Sequence, residues 1–166
     1  MKAIESLIIF AAAGSACWGD GPVAVSELRL DGNVQTTEIG YRGAVTVSNP
    51  TSHDISFGLV EFACAVQLEV YSSTDLVWDQ GRDVSPQPGG CKWLPSDVTL
   101  RPGESIAVSS AEVSREILMA ALQPGAYRAF VEVIFARMVP LPGDPGAETT
   151  QVDSVAVVPA GTLTVQ

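Results

Sequence analysis

The stretch from Cys64 to Val70 reads CAVQLEV. Cys64, Val66, Leu68 and Val70 take every second position, with Gln67 and Glu69 between them. A β-strand points successive side chains to opposite faces, so this period of two describes a strand with one face in a core and the other in water. The pattern recurs in short runs bounded by turn chemistry. In YRGAVTVSNP, Val45 and Val47 share a face. ISFGLVEF is apolar and rich in β-formers, and Ser72 to Asp75 turns the chain into a second hairpin arm, LVWD. DVTLRPGESIAV carries Pro102-Gly103 between two strand-like arms; proline presets the second turn position and glycine supplies the positive φ of the third. A run containing Val23, Val25, Leu28 and Leu30 ends at Asp31-Gly32, and AYRAFVEVIF and VAVVPAGTLTVQ close the series. Many short strands with a turn every few residues predict an antiparallel β-sandwich, a single domain over residues 23–166.

One helix is expected. Ser109 and Glu112 have capping-box spacing, with Ser114 as the competing cap, and Ile117, Leu118, Ala121 and Leu122 form a short helical face that stops at Pro124-Gly125. Two segments read as irregular: residues 79–96 and the proline- and glycine-rich residues 138–150.

The amino-terminal residues MKAIESLIIFAAAGSAC read as an export signal over residues 1–16, followed by a tether at 17–22. Lys2 provides the positive region, and the apolar stretch from Leu7 to Ala13 is too short to span a bilayer. Gly14-Ser15-Ala16 before Cys17 resembles the lipobox of bacterial lipoproteins, in which the cysteine is lipidated. An ordinary signal cleavage that leaves Cys17 as a thiol also fits. The expected location is the periplasm or cell envelope. The net charge is -10, with only nine Lys and Arg in 166 residues. So sparse a basic set cannot neutralise a run of phosphates, which argues against nucleic acid as a partner.

With Cys17 removed, Cys64 and Cys91 remain. An even pair in an exported chain predicts a disulfide, which would hold residues 79–96 against the hairpin. Trp78 and Trp93 are candidates to pack on that bridge. Trp93, if exposed, is the candidate partner contact, because a restrained loop presenting an aromatic binds at a low ordering cost. His53 is the only histidine and lies in a turn without a nucleophile elbow, so no catalytic residue is assigned. Asp75, Asp79 and Asp83 recur every four residues, but the glycine-bearing calcium loop is absent. No metal or cofactor is expected.

Tyr127 follows Pro124-Gly125 at the start of the penultimate strand, with Ala129, Val131, Val133 and Phe135 on its face. In immunoglobulin-like sandwiches a tyrosine at this place turns its hydroxyl back onto upstream backbone, the tyrosine corner. Asn49 closing its strand, the hairpin VQLEVYSSTDLVW with Trp78, LRPGE at Leu100 to Glu104 and LQPGAY at Leu122 to Tyr127 resemble the intracellular proteinase inhibitor (BsuPI-like) domain over residues 41–135. The resemblance implies an immunoglobulin-like sandwich and, for function, inhibition of a proteinase. The export signal departs from an intracellular family. The residues themselves favour a non-enzymatic binding or structural module of the envelope acting on an envelope protein or proteinase, with an exported proteinase inhibitor as the alternative.

Overall fold

A computed structural model describes residues 25–60, 62–84 and 94–166. The expectations for Cys17, Cys91 and Trp93 lie outside those residues. A 3-10 turn, Val25–Glu27, leads into β1 (Arg29–Thr36) and β2 (Gly40–Ser48). Then follow β3 (Ile55–Leu59), α1 (Phe62–Ala65), β4 (Val66–Ser72), β5 (Asp75–Asp79), α2 (Gln80–Asp83), β6 (Ser96–Leu100), β7 (Ser105–Ser109) and β8 (Val113–Ser114). The helix α3 (Arg115–Ala121) and two long strands, β9 (Gly125–Leu141) and β10 (Asp144–Val165), complete the described chain.

The strands form two antiparallel sheets. The first has the order β1-β2-β7, with β8 also on β2; the second has β5-β4-β9-β3-β6, with β10 on β9. The protein is an all-β sandwich with one multi-turn helix, α3, before the penultimate strand. The alternating residues deliver the core. Val66, Leu68 and Val70 of β4 meet Val131, Val133 and Phe135 of β9 and Val45 and Val47 of β2 in one apolar cluster. Trp78 belongs to it at 1% exposure. The Phe57 and Phe135 rings meet edge to face at 5.6 Å, a favoured aromatic geometry.

Two strands are interrupted at the same level. β3 and β4 pair with the same side of β9, through Leu59↔Phe135 and Val66↔Val133, with only Ile134 between the two pairings. Opposite them, β5 pairs with β4 as far as Glu69↔Asp79, and β6 pairs with β3 from Leu59↔Ser96. The α1 turn between β3 and β4 carries Cys64, which is buried and not free.

Four expectations need correction. The run expected to end at Asp31-Gly32 continues to Thr36, because Asp31 and Gly32 find partners in Thr46 and Val45. Residues 138–150 are not a loop. β9 runs to Leu141 and β10 begins at Asp144, a ribbon turned at Gly143 with φ +88°. Pro140 is tolerated there opposite Glu148, and residues 145–147 are absorbed in a bulge between Asp144 and Glu148; proline and bulges are the usual guards of an unpaired strand edge. The single-helix expectation also misses the one-turn helices α1 and α2. Finally, Ser114 rather than Ser109 caps α3, its Oγ accepting from the Ile117 amide at 3.4 Å.

The turn residues behave as their chemistry requires. Gly103 takes φ +78°, the left-handed region that favours glycine. The Arg101 amide donates to the Glu104 carboxylate at 2.9 Å. The Tyr127 hydroxyl donates to the Gln123 carbonyl at 2.8 Å, four residues upstream.

Candidate functional site

The features that could meet a ligand or partner gather at the end of the sandwich where α3 sits. The helix reads REILMAA, and Leu122 ends it by donating its amide to the Leu118 carbonyl at 2.7 Å. Only Leu118 and Leu122 are buried. Ile117 at 41% exposure and Met119 at 54% face solvent together with Ala120 and Ala121. A helix this apolar ordinarily buries more of its surface; here the sandwich covers one stripe and leaves a ridge.

A cleft lies on each side of that ridge. The larger, about 530 Å³, is bounded by Val34 and Thr36 of β1, Tyr41 of β2, Arg115 and Met119 of α3, and the chain from Thr162 to Gln166. The smaller, about 300 Å³, is lined by Val77, Trp78, Arg82, Asp83, Ile117, Ala120 and Ala121. The larger opens where the free edges of the two sheets, β1 and β10, part company. Leu163 and Val165 beneath it are buried in the core, and its exposed lining is more polar than apolar. Tyr41 closes one side by donating its hydroxyl to the Thr164 carbonyl at 2.7 Å.

Arg115 is the cation of this cleft. Its Nη2 donates to the Thr37 carbonyl at 3.1 Å, and its amide donates to the Ile39 carbonyl. Thr37 in turn donates its hydroxyl to Glu112 and accepts from the Gly40 amide, so the 37–40 turn and the start of α3 hold each other in place. Among the described residues Arg115 makes no salt bridge, whereas Arg29, Arg42, Arg82 and Arg137 each face a carboxylate. Nearby, Glu116 is held below the usual carboxylate range by hydrogen bonds from its own amide and the Ser114 hydroxyl, and by the neighbouring Arg115 charge.

A second charged surface lies on the outer face of the larger sheet. Glu69 stands directly across from Asp79, and Gln67 from Glu132. Glu69 is 6% exposed and accepts from the Tyr71 hydroxyl at 3.1 Å. Desolvation pushes its carboxyl up; the Tyr71 bond pulls the other way, and Asp79 adds to the rise. Glu132 is raised by the same desolvation and by Glu69 and Asp79. Tyr71 is pushed up to about 12, by its own burial first and then by Glu69. Tyr71 packs edge to face on Phe130 at 5.0 Å, and Arg128 lies 5.0 Å from the Phe130 centroid. The Tyr71 hydroxyl satisfies Glu69, while the Glu69, Asp79 and Glu132 carboxylates repel one another.

The acidic residues that recur every four positions have a local task. Asp79 caps α2 by accepting from the Arg82 amide at 3.1 Å, and Asp83 accepts from the Asp79 amide at 2.8 Å while pairing with Arg82 at 2.7 Å. His53 is largely exposed and sits 2.9 Å from Glu27. Trp78 forms part of the wall between the core and the smaller cleft. Among the described residues no three His, Cys, Asp or Glu come together to hold a metal ion, and no helix is long and apolar enough to cross a membrane.

Reading the sequence singled out neither Arg115 nor Met119. Arg115 sits at a cap position of a short amphipathic segment, where a charged residue is ordinary. Its only signal was apolar residues at Ile117, Met119 and Ala120 that one buried stripe does not need.

No protein-family model matches the chain, and no curated protein matches it significantly. What the coordinates define is a class, an antiparallel β-sandwich with an apolar helical ridge at one end.

Proposed function

We propose that this protein is a non-enzymatic binding or structural module of the extracytoplasmic space, exported by residues 1–16 and anchored through lipid on Cys17. The observation that carries the binding reading is the apolar exposure on the two flanks of α3: Met119 borders the larger cleft, and Ile117, Ala120 and Ala121 line the smaller. Apolar side chains left in water beside a cleft mark a contact surface, because their exposure costs free energy that a partner recovers. The sandwich beneath supplies a rigid platform, which lowers the ordering cost of contact.

The oxidised pair Cys64–Cys91 belongs to the same reading. Cys64 is buried in α1, beside the described ends of β5 and β6. A bridge between the two cysteines would close a loop whose restraint is worth roughly 3–4 kcal/mol in the chain-entropy model. It also suits an oxidising compartment.

The test has two arms. Protein carrying Ile117→Asp and Met119→Asp is compared with wild type for cross-linking to envelope proteins; loss of specific cross-links is expected, and unchanged cross-linking overturns the ridge as the contact surface. Cys17→Ser should move the protein from the membrane to the soluble fraction. A free α-amine on an unacylated Cys17, found by mass spectrometry, overturns the anchor.

A further inference from the structure

We infer that the free edge of β5, together with the smaller cleft between β5 and α3, takes an extended segment of a partner protein as an added strand. That segment places an apolar side chain in the cleft and carries lysine or arginine on its flanks. The inference rests on the binding-module reading and names the partner's chemistry on one flank of α3.

The strand edge comes first. β5 ends its sheet: β4 pairs with one side, and no strand pairs with the other among the described residues. Such an edge carries backbone amides and carbonyls that another extended chain can pair with, and proteins usually blunt it with proline, lysine or bulges. β10, at the opposite edge, carries Pro159 and three register shifts. β5 reads DLVWD, without proline or lysine, and its Leu76 and Val77 remain exposed. Its one irregularity falls at Val77, which is left between the pairs Val70↔Trp78 and Tyr71↔Leu76. A bulge re-aims the side chain it carries, and Val77 lines the cleft.

The cleft is built before any partner arrives. Val77 and Trp78 of β5 line it from one element, and Ile117, Ala120 and Ala121 of α3 from another. Gln80, directly after β5, is buried; it accepts from the Leu68 amide at 3.0 Å and donates to the Ala111 carbonyl at 2.9 Å. That one side chain fastens the chain leading into α3 to β4, beside the end of β5. A preformed site lowers the ordering cost of binding. A free edge with a side-chain pocket is the arrangement of strand addition, in which main-chain bonds give affinity and the pocket gives selection.

Charge selects the flanks of the added strand. β5 starts at Asp75 and ends at Asp79, so two carboxylates bracket the exposed Leu76 and Val77. Glu69 stands opposite Asp79, and the chain has a net charge of -10. The one arginine in the lining, Arg82, is paired with Asp83 at 2.7 Å. A segment with a cation on each side of an apolar residue complements this edge, and an acidic one is repelled.

The full chain, labelled with ¹⁵N, is titrated with the peptide acetyl-Lys-Val-Leu-Val-Lys-amide. Saturable submillimolar binding is expected, with amide shifts and slowed hydrogen exchange concentrated in Asp75–Asp79. The same peptide with glutamate for both lysines should bind at least tenfold more weakly. Alternate amides of a strand face opposite ways. N-methylation of the two valines and N-methylation of the leucine and lysines should therefore differ: one pattern abolishes binding, and the other leaves it within about threefold. Ala120→Phe, which fills the cleft, and Val77→Lys, which guards the edge, should each lose at least tenfold, and Arg101→Gln nothing. Equal effects of the two methylation patterns, equal binding of the glutamate peptide, shifts that do not saturate, or undiminished binding in both Ala120→Phe and Val77→Lys overturns the assignment. The methylated peptides are read on the unaltered protein, so they decide the matter even where a variant fails to fold. Loss of cross-links in the Ile117 and Met119 variants beside absent peptide binding would leave the module reading standing and remove only this partner.

Discussion

Asn49 ties the two sheets together at the end opposite α3, and replacing it should show how much that tie is worth. The residue follows β2 in the first sheet and is 1% exposed. Its Nδ2 donates to the His53 carbonyl at 2.7 Å and to the Leu100 carbonyl at 2.8 Å, at the edges of β3 and β6 in the second sheet. Its Oδ1 accepts from the Thr51 amide at 2.9 Å and the Thr51 hydroxyl at 2.7 Å. The main chain adds bonds from the Asn49 amide to Glu104 and from the Gly103 amide to Asn49, both at 2.9 Å. In Asn49→Ala the buried Leu100 carbonyl loses its side-chain donor, at about 1–3 kcal/mol, the cost of an unsatisfied buried group. The partly buried His53 carbonyl adds about 1 kcal/mol, and the Thr51 bonds, which water can replace, about 0.5–1 kcal/mol together. The expected loss is about 2.5–5 kcal/mol in urea unfolding. Asn49→Asp is the more incisive change. It keeps both acceptor bonds to Thr51 but sets an oxygen against two carbonyl oxygens. The ionised form has nothing to donate; the protonated form can satisfy one carbonyl. The new carboxyl should therefore be raised in the native state. Such a group binds more protons folded than unfolded, so the deficit relative to wild type should be smallest below about pH 4, the ordinary aspartate value, and grow as pH rises through the native value. An Asn49→Asp variant within about 0.5 kcal/mol of wild type at pH 7, or a deficit independent of pH, would refute the network as described, because surface substitutions fall in that range.

Glu69→Gln should stabilise the protein at pH 7, since the amide can still accept from Tyr71 and no longer opposes Asp79; because Glu69 is raised above 4.5, its destabilising charge is absent below that value, so the advantage should appear as pH rises through the native pKa, and thermal melts at pH 4 and pH 7 check the sign. Tyr127→Phe should cost about 1 kcal/mol, the net value of an ordinary hydrogen bond, and Tyr127→Ala more; chemical unfolding that finds Phe neutral would reduce the corner to apolar packing. A methyl group on Gly58 would lie 1.9 Å from the Ala136 carbonyl oxygen, where β9 passes beside β3. Gly58→Ala should therefore cost at least about 2 kcal/mol, while Gly146→Ala, whose nearest neighbour is 3.6 Å away, should be neutral in the same assay.

What the sequence determined by itself is what the chain settles locally. The alternation of Val66, Leu68 and Val70 needs only the pleat of one strand to define its buried face, so the all-β class, the core residues of β2, β4 and β9 and the turn at Pro102-Gly103 were legible. So was the capped segment ending at Leu122, with Ser114 among its possible caps, because capping is an exchange within one turn. Local signals also misled. Pro140, Gly143 and Gly146 read as a loop, although a partner strand with a bulge accommodates them. Tertiary structure alone decided which strands meet. No local pattern says that β3 and β4 lie end to end on β9, since Leu59 and Phe135 are joined only through the whole intervening chain. The same holds for the candidate site. Arg115, Tyr41, Val34 and Thr164 come from four elements and share a cleft only because the free edges of two sheets part there. That parting is not a property of any segment alone; it follows from how twisted sheets stack, which depends on contacts distant in sequence.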